Sequence, residues 1–174
     1  METPSLTTPR LSLRPLVPAD ALILHGIYQM EGVLKYFPKP SPPPLEKVGN
    51  FITGQKEHWA EHGYGNWGLL LNGEKEIIGW VGLQYLPELD ETEVGFLLSP
   101  HHWGKGYATE AAIASLQFGF KHFDLDHIIA LVHPENLASR RVIQKCGMTL
   151  LETIHKKIAA GTVVLRQPRK PRRR

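Results

Sequence analysis

A turn containing two glycines joins an apolar strand pattern to a helical pattern in the second half of the chain. The segment reads Leu97-Leu98-Ser99-Pro100-His101-His102-Trp103-Gly104-Lys105-Gly106-Tyr107-Ala108-Thr109-Glu110. Apolar residues then recur at helical spacing from Ile113 to Phe123, which predicts a helix that begins directly after the second glycine. The first N–H groups of a helix lack intrahelical partners and bind phosphate oxygens. The segment therefore predicts a site for a phosphorylated ligand where a strand meets a helix, with Lys105 adding a positive charge.

The glycine spacing differs from two common nucleotide motifs. A Walker loop requires Gly-Lys-Ser/Thr after a longer spacing, and a dinucleotide-binding loop requires a third glycine three residues on. Neither pattern is completed around Gly104 and Gly106. The glycines alone therefore do not identify the ligand.

A second motif follows the apolar segment 127–132 and reads Asn136-Leu137-Ala138-Ser139-Arg140-Arg141-Val142-Ile143-Gln144-Lys145-Cys146-Gly147-Met148. Together with the glycine turn it resembles the GNAT superfamily of N-acetyltransferases, and within it the RimJ/RimL-like branch. The signature of that family is Gln/Arg-x-x-Gly-x-Gly/Ala, followed by Asn-x-x-Ser-x-(basic)-(apolar)-x-x-Lys-x-Gly. Trp103 stands where the family usually has Gln or Arg. The resemblance is strongest from Val94 to Met148.

Hydrophobic periodicity predicts an α/β (mixed α+β) fold with the element order β-α-α-β-β-β-α-β-α-β-β. We expect strands at 10–14, 66–71, 76–86, 92–98, 127–132, 149–155 and 162–166, and helices at 18–30, 45–62, directly after Gly106, and at 137–146. This order is that of the acetyltransferases. The resemblance implies a central mixed, mostly antiparallel sheet flanked by helices, with the glycine turn at the carboxyl end of a strand.

The length of 174 residues fits a single domain, which we expect to span 1–166. The net charge of +3 depends on the C-terminus, because six positive charges and no negative ones lie from Arg166 onward. Without them the chain carries a net charge of −3, which argues against a nucleic-acid-binding domain. We expect residues 167–174 to form a basic, disordered tail.

The remaining composition predicts a cytoplasmic protein that does not enter a membrane. No apolar run approaches the roughly 18–20 residues of a membrane-spanning helix, and the N-terminus lacks the features of a secretory signal. The single cysteine, Cys146, excludes an internal disulfide and fits a reducing compartment. Two histidine groups, His58-Trp59-Ala60-Glu61-His62 and His101-His102, do not form a recognisable metal motif, so we expect no metal.

The resemblance implies that the ligand is acetyl-CoA. The N–H groups of the turn would hold its pyrophosphate, the strand before the turn would pair with the pantetheine arm, and Asn136 would bond that arm or cap the following helix. A backbone N–H near Leu97 or Leu98 would polarise the thioester carbonyl. The expected cofactor-binding residues are Phe96, Leu97, Leu98, Trp103, Gly104, Lys105, Gly106, Tyr107, Ala108, Thr109, Asn136, Ser139 and Arg140.

Two residues are candidates for proton transfer. Ser139 occupies the position at which the RimJ/RimL-like branch is thought to protonate the departing thiolate; the alternative is a polar residue in the first turn of a helix. Glu93 lies two residues before Gly95, where the family often has Glu, and is the candidate base; the alternative is a solvent-facing strand residue.

The leading hypothesis is therefore an acetyl-CoA-dependent N-acetyltransferase that acts on a protein N-terminal α-amine or on a small-molecule amine. Two alternatives are a non-catalytic acyl-CoA-binding or sensor domain and a polyamine or antibiotic acetyltransferase. A protein or ribosomal acceptor and a homodimer are left open.

Overall fold

The computed structural model describes residues 3–154 and 162–168. Its strands are β1 (Leu6–Thr7), β2 (Leu11–Pro15), β3 (Asn66–Leu71), β4 (Gly79–Leu86), β5 (Glu91–Leu98), β6 (His127–Val132), β7 (Thr149–Ile154) and β8 (Thr162–Pro168). Its helices are α1 (Ala21–Gln29), α2 (Leu45–His62), α3 (Tyr107–His122) and α4 (Leu137–Lys145). Short 3-10 turns precede α1 at Pro18–Asp20 and follow β5 at Pro100–His102.

The predicted fold class and element order are confirmed, with one additional two-residue strand, β1, at the N-terminus. The described strands form one sheet in the order β1-β2-β3-β4-β5-β6-β8-β7. Neighbouring strands are antiparallel except for β5 and β6, which are parallel. Since parallel strands require a crossover connection, α3 carries the chain from the end of β5 back to the start of β6.

The sheet is covered on both faces, and each face has its own hydrophobic core. One core contains Val94 and Leu98 of β5 with Leu116 of α3 and Ile143 of α4. The other contains Leu97 of β5 with residues of α1 and α2. Side chains alternate along a strand, so even-numbered residues of β5 face α3 and α4, whereas odd-numbered residues face α1 and α2.

Local sequence explains where α4 begins and where α2 and α4 end. The first turn of α4 is capped by Asn136, whose side-chain oxygen accepts a hydrogen bond from the Ser139 N–H at 3.1 Å. Gly147 follows this helix with φ 84°, the left-handed conformation that commonly ends a helix. Gly63 ends α2 in the same way, with φ 75°.

Three predicted boundaries differ from the structure. β4 begins at Gly79 rather than at residue 76; Ile77 and Ile78 are buried, so their apolar character extended the prediction into the preceding turn. The first helix begins as a 3-10 turn at Pro18 and becomes α-helical only at Ala21. β8 continues to Pro168, which pairs with His127, so the sheet includes two residues that were assigned to the tail.

Two parts of the predictions lie outside the described residues: position 155, at the end of the strand expected at 149–155, and the tail at 169–174. In the described part of the chain, no helix is long and apolar enough to cross a membrane. The same residues contain no group of three or more side chains suited to hold a metal ion.

Candidate active site

A gap opens between β5 and β6 towards their carboxyl ends. Among the described residues these strands pair only at Glu93 and Ile129, although β5 continues to Leu98 and β6 to Val132. The gap therefore exposes backbone groups in the middle of the sheet rather than at its edge.

The direction of the amides in β5 determines which of them face the gap. The Ser99 N–H donates to the Ile78 carbonyl on the β4 side at 2.8 Å, and the β4–β5 register is unbroken. Because amide direction alternates along a strand, the N–H of Leu97 also faces β4, whereas those of Phe96 and Leu98 face the gap. Of the residues predicted to polarise a carbonyl, Leu98 thus has the suitable backbone direction and Leu97 does not.

The glycine turn forms a cradle of N–H groups beside the gap. Gly104 and Gly106 have φ values of 72° and 82°, a conformation that glycine adopts without steric cost. The first bond of α3 runs from the Glu110 N–H to the Gly106 carbonyl at 3.1 Å. The backbone N–H groups from Gly104 to Thr109 have no partner among the described residues. Consecutive free N–H groups of this kind bind anions.

Trp103 connects the turn to the end of β5. Its indole N–H donates to the Leu98 carbonyl at 2.8 Å, and its ring lies 3.6 Å from the position that a Cβ on Gly32 would occupy. The Trp103 side chain thus joins the end of β5 to the loop after α1.

The two histidines before the turn differ in environment. His101 is exposed, whereas His102 is half-buried and its Nδ1 is buried without a hydrogen-bond partner among the described residues. Burial lowers the pKa of His102, and the neighbouring Lys105 and His101 lower it further. His102 is therefore neutral at pH 7, and Lys105 is the cation that this segment contributes.

The second motif lies on the same side of the sheet as α3. α4 packs into the core that contains α3, and the Cys146 thiol lies 3.9 Å from the Thr109 carbonyl. Asn136 caps α4 through Ser139, and Arg140 donates to the Pro134 carbonyl at 3.2 Å. Cys146 is buried, and burial raises the pKa of its thiol to about 11, as expected for a core residue rather than a nucleophile.

Glu93 lies at the point where β5 and β6 separate. Its carboxylate accepts a hydrogen bond from the Leu131 N–H at 3.2 Å, and the residue is only partly exposed. Burial raises the pKa of Glu93 to about 7, although the bond from Leu131 acts in the opposite direction. The carboxylate is thus partly removed from solvent, which favours the candidate base over the alternative of a solvent-facing strand residue. A carboxyl group with this pKa can accept a proton near neutral pH.

Glu93 shares its face of the sheet with an aromatic group. The ring of Trp80 lies across Gly95, 3.2 Å from the position of an added Cβ, and its indole N–H donates to the Tyr28 hydroxyl at 3.1 Å. The Phe51 ring lies 5.7 Å from that of Trp80. Trp80 is partly exposed and so forms part of the wall beside Glu93.

The loop after α1 reaches the same region. The ring of Tyr36 lies 5.3 Å from that of His133, directly after β6, and Gly32 of the loop contacts Trp103 after β5. The loop thus touches segments that follow both strands of the gap. Tyr36 and His133 are not recognisable from sequence alone, because nothing in their local pattern indicates a contact across about 100 residues.

The site therefore has two sides. The turn, α3 and α4 lie on one side, with Ser139 and the N–H cradle, while Glu93 and Trp80 face α1 and α2 on the other. The other histidine pair, His58 and His62, has rings 4.5 Å apart on α2 and belongs to no metal-binding group among the described residues.

Comparison with known proteins identifies the class. The acetyltransferase (GNAT) domain family matches residues 10–149. The chain belongs to this family, and the protein is an N-acetyltransferase.

Curated relatives agree with this assignment. An uncharacterized N-acetyltransferase of Bacillus subtilis, YnaD, is 34% identical over 82% of this chain and 81% of its own length. The FsC-acetyl coenzyme A-N(2)-transacetylase of Aspergillus fumigatus is 36% identical over 88% of this chain and 68% of its own length.

Solved structures show the same fold. An acetyltransferase from Agrobacterium tumefaciens is 29% identical and superposes with a TM-score of 0.84, covering 96% of this chain and 95% of its own. The microcin C7 self-immunity acetyltransferase MccE, in complex with acetyl-CoA and AMP, is 14% identical, with a TM-score of 0.76 over 92% of this chain and 93% of its own. This last likeness concerns the fold alone.

Proposed function

We propose that the protein transfers the acetyl group of acetyl-CoA directly to a primary amine through the gap between β5 and β6. The observation that carries this proposal is the placement of an N–H cradle and Ser139 on one face of the sheet and of Glu93 on the other. A thioester bound from the α3 side would present its carbonyl carbon to an amine arriving from the α1 and α2 side. No acyl-enzyme is required.

The residues at the gap fit acetyl-CoA. Six consecutive backbone N–H groups, from Gly104 to Thr109, have no partner in the described part of the chain and can bind phosphate oxygens, with Lys105 beside them. The N–H groups of Phe96 and Leu98 face the gap, where they would bond the pantetheine arm and the thioester carbonyl. Asn136 keeps a second lone pair on its capping oxygen and two amide donors for the same arm.

The proton balance involves both faces. An amine arrives as an ammonium, and Glu93 would accept one of its protons so that the nitrogen lone pair can form the new C–N bond. The C–S bond then breaks, and Ser139 would donate its hydroxyl proton to the departing sulfur. The nitrogen of the new C–N bond still carries two protons and loses one of them to solvent, from which Ser139 regains its own, so that one proton is released overall through Glu93. A thiol has a pKa of roughly 8.5, so a weak acid suffices for this step.

An α-amine is the acceptor that suits this base best. Deprotonating a lysine side chain at pH 7 costs about 5 kcal/mol, whereas an α-amine with a pKa near 8 costs about 1.4 kcal/mol. We therefore favour the RimJ/RimL-like assignment, with the α-amine of a protein N-terminus or of a small molecule as substrate. The Aspergillus relative is named as an N(2)-transacetylase that uses acetyl coenzyme A, which supports transfer to a nitrogen without distinguishing the two acceptors. The single cysteine, Cys146, supports a reducing, cytoplasmic setting.

The decisive experiment incubates the purified protein with acetyl-CoA and a panel of amines, with mass spectrometry as the readout. The panel contains N-terminal peptides, free amino acids, polyamines and lysine derivatives whose α-amine is blocked so that only the side-chain amine can react. Acetylation of α-amines ahead of the others supports the proposal. Binding of acetyl-CoA without any product would instead identify a sensor domain, and a preference for polyamines would reject the α-amine assignment.

A further inference from the structure

Arg10, in the connection between β1 and β2, contacts the glycine turn from outside the cradle. Its Nη1 donates to the Lys105 carbonyl at 2.9 Å, and its guanidinium carbon lies 4.7 Å from the centre of the Tyr107 ring. Its Nη2 lies 3.3 Å from the position that a Cβ on Gly106 would take. The Arg10 side chain thus bonds Lys105, lies over the ring of Tyr107 and approaches Gly106 between them.

Glu110, in the first part of α3, fixes the position of Arg10. The Arg10 Nε donates to Oε2 at 2.7 Å, and the Arg10 backbone N–H donates to Oε1 at 2.9 Å. Thr8 adds a hydroxyl bond to Oε1 at 2.7 Å. Burial opposes ionisation of Glu110, but the bonds from Thr8 and Arg10 outweigh it and lower the pKa of this carboxyl. The carboxylate is thus ionised at neutral pH and held by donors from one segment.

The orientation of the Lys105 carbonyl determines that of the Gly106 N–H, because both groups belong to the same planar peptide. In a trans peptide the C=O of one residue and the N–H of the next point in opposite directions. A bond that holds the Lys105 carbonyl towards Arg10 therefore turns the Gly106 N–H away from Arg10, into the cradle. Both flanking glycines adopt a left-handed conformation, which leaves the backbone free to rotate if this bond is lost.

We propose that Arg10 is a positioning residue for the cofactor: clamped by Glu110, it holds the Lys105 carbonyl outward so that the N–H groups of the turn converge on the phosphates. The inference rests on the proposed function, since it assumes acetyl-CoA at this turn. It assigns Arg10 an effect on cofactor affinity and none on the chemical step.

The position of the Arg10–Glu110 ion pair does not favour a role in the stability of the fold alone. The Arg10 side chain is 48% exposed, and ion pairs with an exposed partner contribute little to folding. Arg14 on β2 offers a contrast, because it forms a bidentate pair with Asp20 of the 3-10 turn before α1, and the Asp20 side chain is only 4% exposed. Replacing Arg14 leaves this buried carboxylate without its ion-pair partner, and among the described residues neither side chain hydrogen-bonds the glycine turn, which makes Arg14→Ala the matched structural control.

The test measures acetyl-CoA KM, kcat, and CoA affinity by calorimetry for the wild type, Arg10→Ala, Arg10→Lys and Arg14→Ala. Because Arg10→Ala loses a hydrogen bond made by a charged group, we expect it to raise the KM for acetyl-CoA and the Kd for CoA by about tenfold. Its kcat at saturation and its melting temperature without ligand should be nearly unchanged. Arg10→Lys keeps the charge but cannot bond Glu110 and Lys105 together, so we expect it to resemble Arg10→Ala. Arg14→Ala should melt earlier with an unchanged KM.

The outcomes separate the two proposals. Wild-type affinity in Arg10→Ala overturns the inference, and so does a fall in kcat without a change in KM. If Arg10→Lys binds CoA with near-wild-type affinity, the positive charge explains the effect on cofactor binding, and the proposal that Arg10 positions the Lys105 carbonyl is overturned. Failure of the wild type to bind CoA would overturn the proposed function itself, and the inference with it.

Discussion

Glu93 and Leu131 are joined across the point where β5 and β6 separate, by a hydrogen bond of 3.2 Å from the backbone N–H to the carboxylate. The bond supports the carboxylate where no further β5–β6 ladder bonds form among the described residues. A protonatable group with a pKa of about 7 therefore lies at the inner end of the gap.

The pH dependence of activity should reflect this group. A base acts only when it is deprotonated, so wild-type kcat/KM should rise as pH increases through about 7. Glu93→Gln should be slower near neutral pH and recover towards high pH, as the free amine becomes abundant. Glu91→Gln is the control, because Glu91 lies on the same face of β5 and bonds His127 instead. Equal profiles for Glu93→Gln and wild type would exclude Glu93 as the base.

The stability of the fold should depend on the same pKa, with a defined sign. In the folded state Glu93 holds its proton up to about pH 7, whereas the ordinary value is 4.5. The folded protein thus binds more protons than the unfolded chain between these values, and the Glu93 contribution to stability falls as pH rises through this window. The full shift corresponds to about 3 kcal/mol. Denaturant titrations should show that the free energy of unfolding of Glu93→Gln rises relative to that of the wild type from pH 4.5 to 7. A difference that does not change with pH would contradict the raised pKa of Glu93.

The roles of Ser139 and Asn136 can be distinguished by the effect of each substitution on the stability of α4. Ser139→Ala keeps the backbone N–H that Asn136 caps, so the melting temperature should not change, while loss of a general acid should lower kcat by about 10- to 1000-fold. Asn136→Ala removes the cap and should cost about 1 kcal/mol of stability. A Ser139→Ala variant that loses stability and activity together would indicate a structural role.

Sequence pattern was sufficient for the parts of this site that are local. The turn at Gly104 and Gly106, the α3 start and the Asn136 cap lie within short segments, where residue type and spacing determine backbone geometry. Most element boundaries followed from the same periodicity. The errors fell at residues 76–78 and at the start of α1, where apolar character or proline did not distinguish a turn from a regular element.

Contacts between distant segments were not predictable from a single sequence. Arg10 and Glu110 are 100 residues apart, and each reads locally as an ordinary charged residue. The face on which Glu93 lies followed from strand alternation, but its burial and raised pKa depend on β6, whose position the sequence does not specify. The same holds for the direction of the Leu97 amide, which depends on the β4–β5 register.

Acetyl-CoA should stabilise the protein through the turn. Ligand at about 100 times its Kd adds about 2.7 kcal/mol to the free energy of unfolding, so melting temperatures should rise with acetyl-CoA or CoA and much less with NAD or ATP. Gly106→Val should abolish the rise, because φ is 82° there and an added Cβ would lie 3.3 Å from Arg10. Gly49→Val is the control, since an added Cβ meets nothing within 4 Å. Equal shifts with all nucleotides would defeat the claim of specificity.

The basic C-terminus should be dispensable for the fold and for cofactor binding. Pro168 pairs with His127 in the sheet, so the deletion should remove only residues 169–174, which carry five of the six C-terminal positive charges. We expect the truncated protein to melt within a few degrees of the full chain, to bind CoA equally well and to acetylate small amines at the same rate, because a charged, proline-containing segment buries little apolar surface. A large drop in melting temperature would show that the segment docks on the domain. If only an acidic protein acceptor is acetylated more slowly, and the loss is greatest at low salt, the segment captures that acceptor electrostatically.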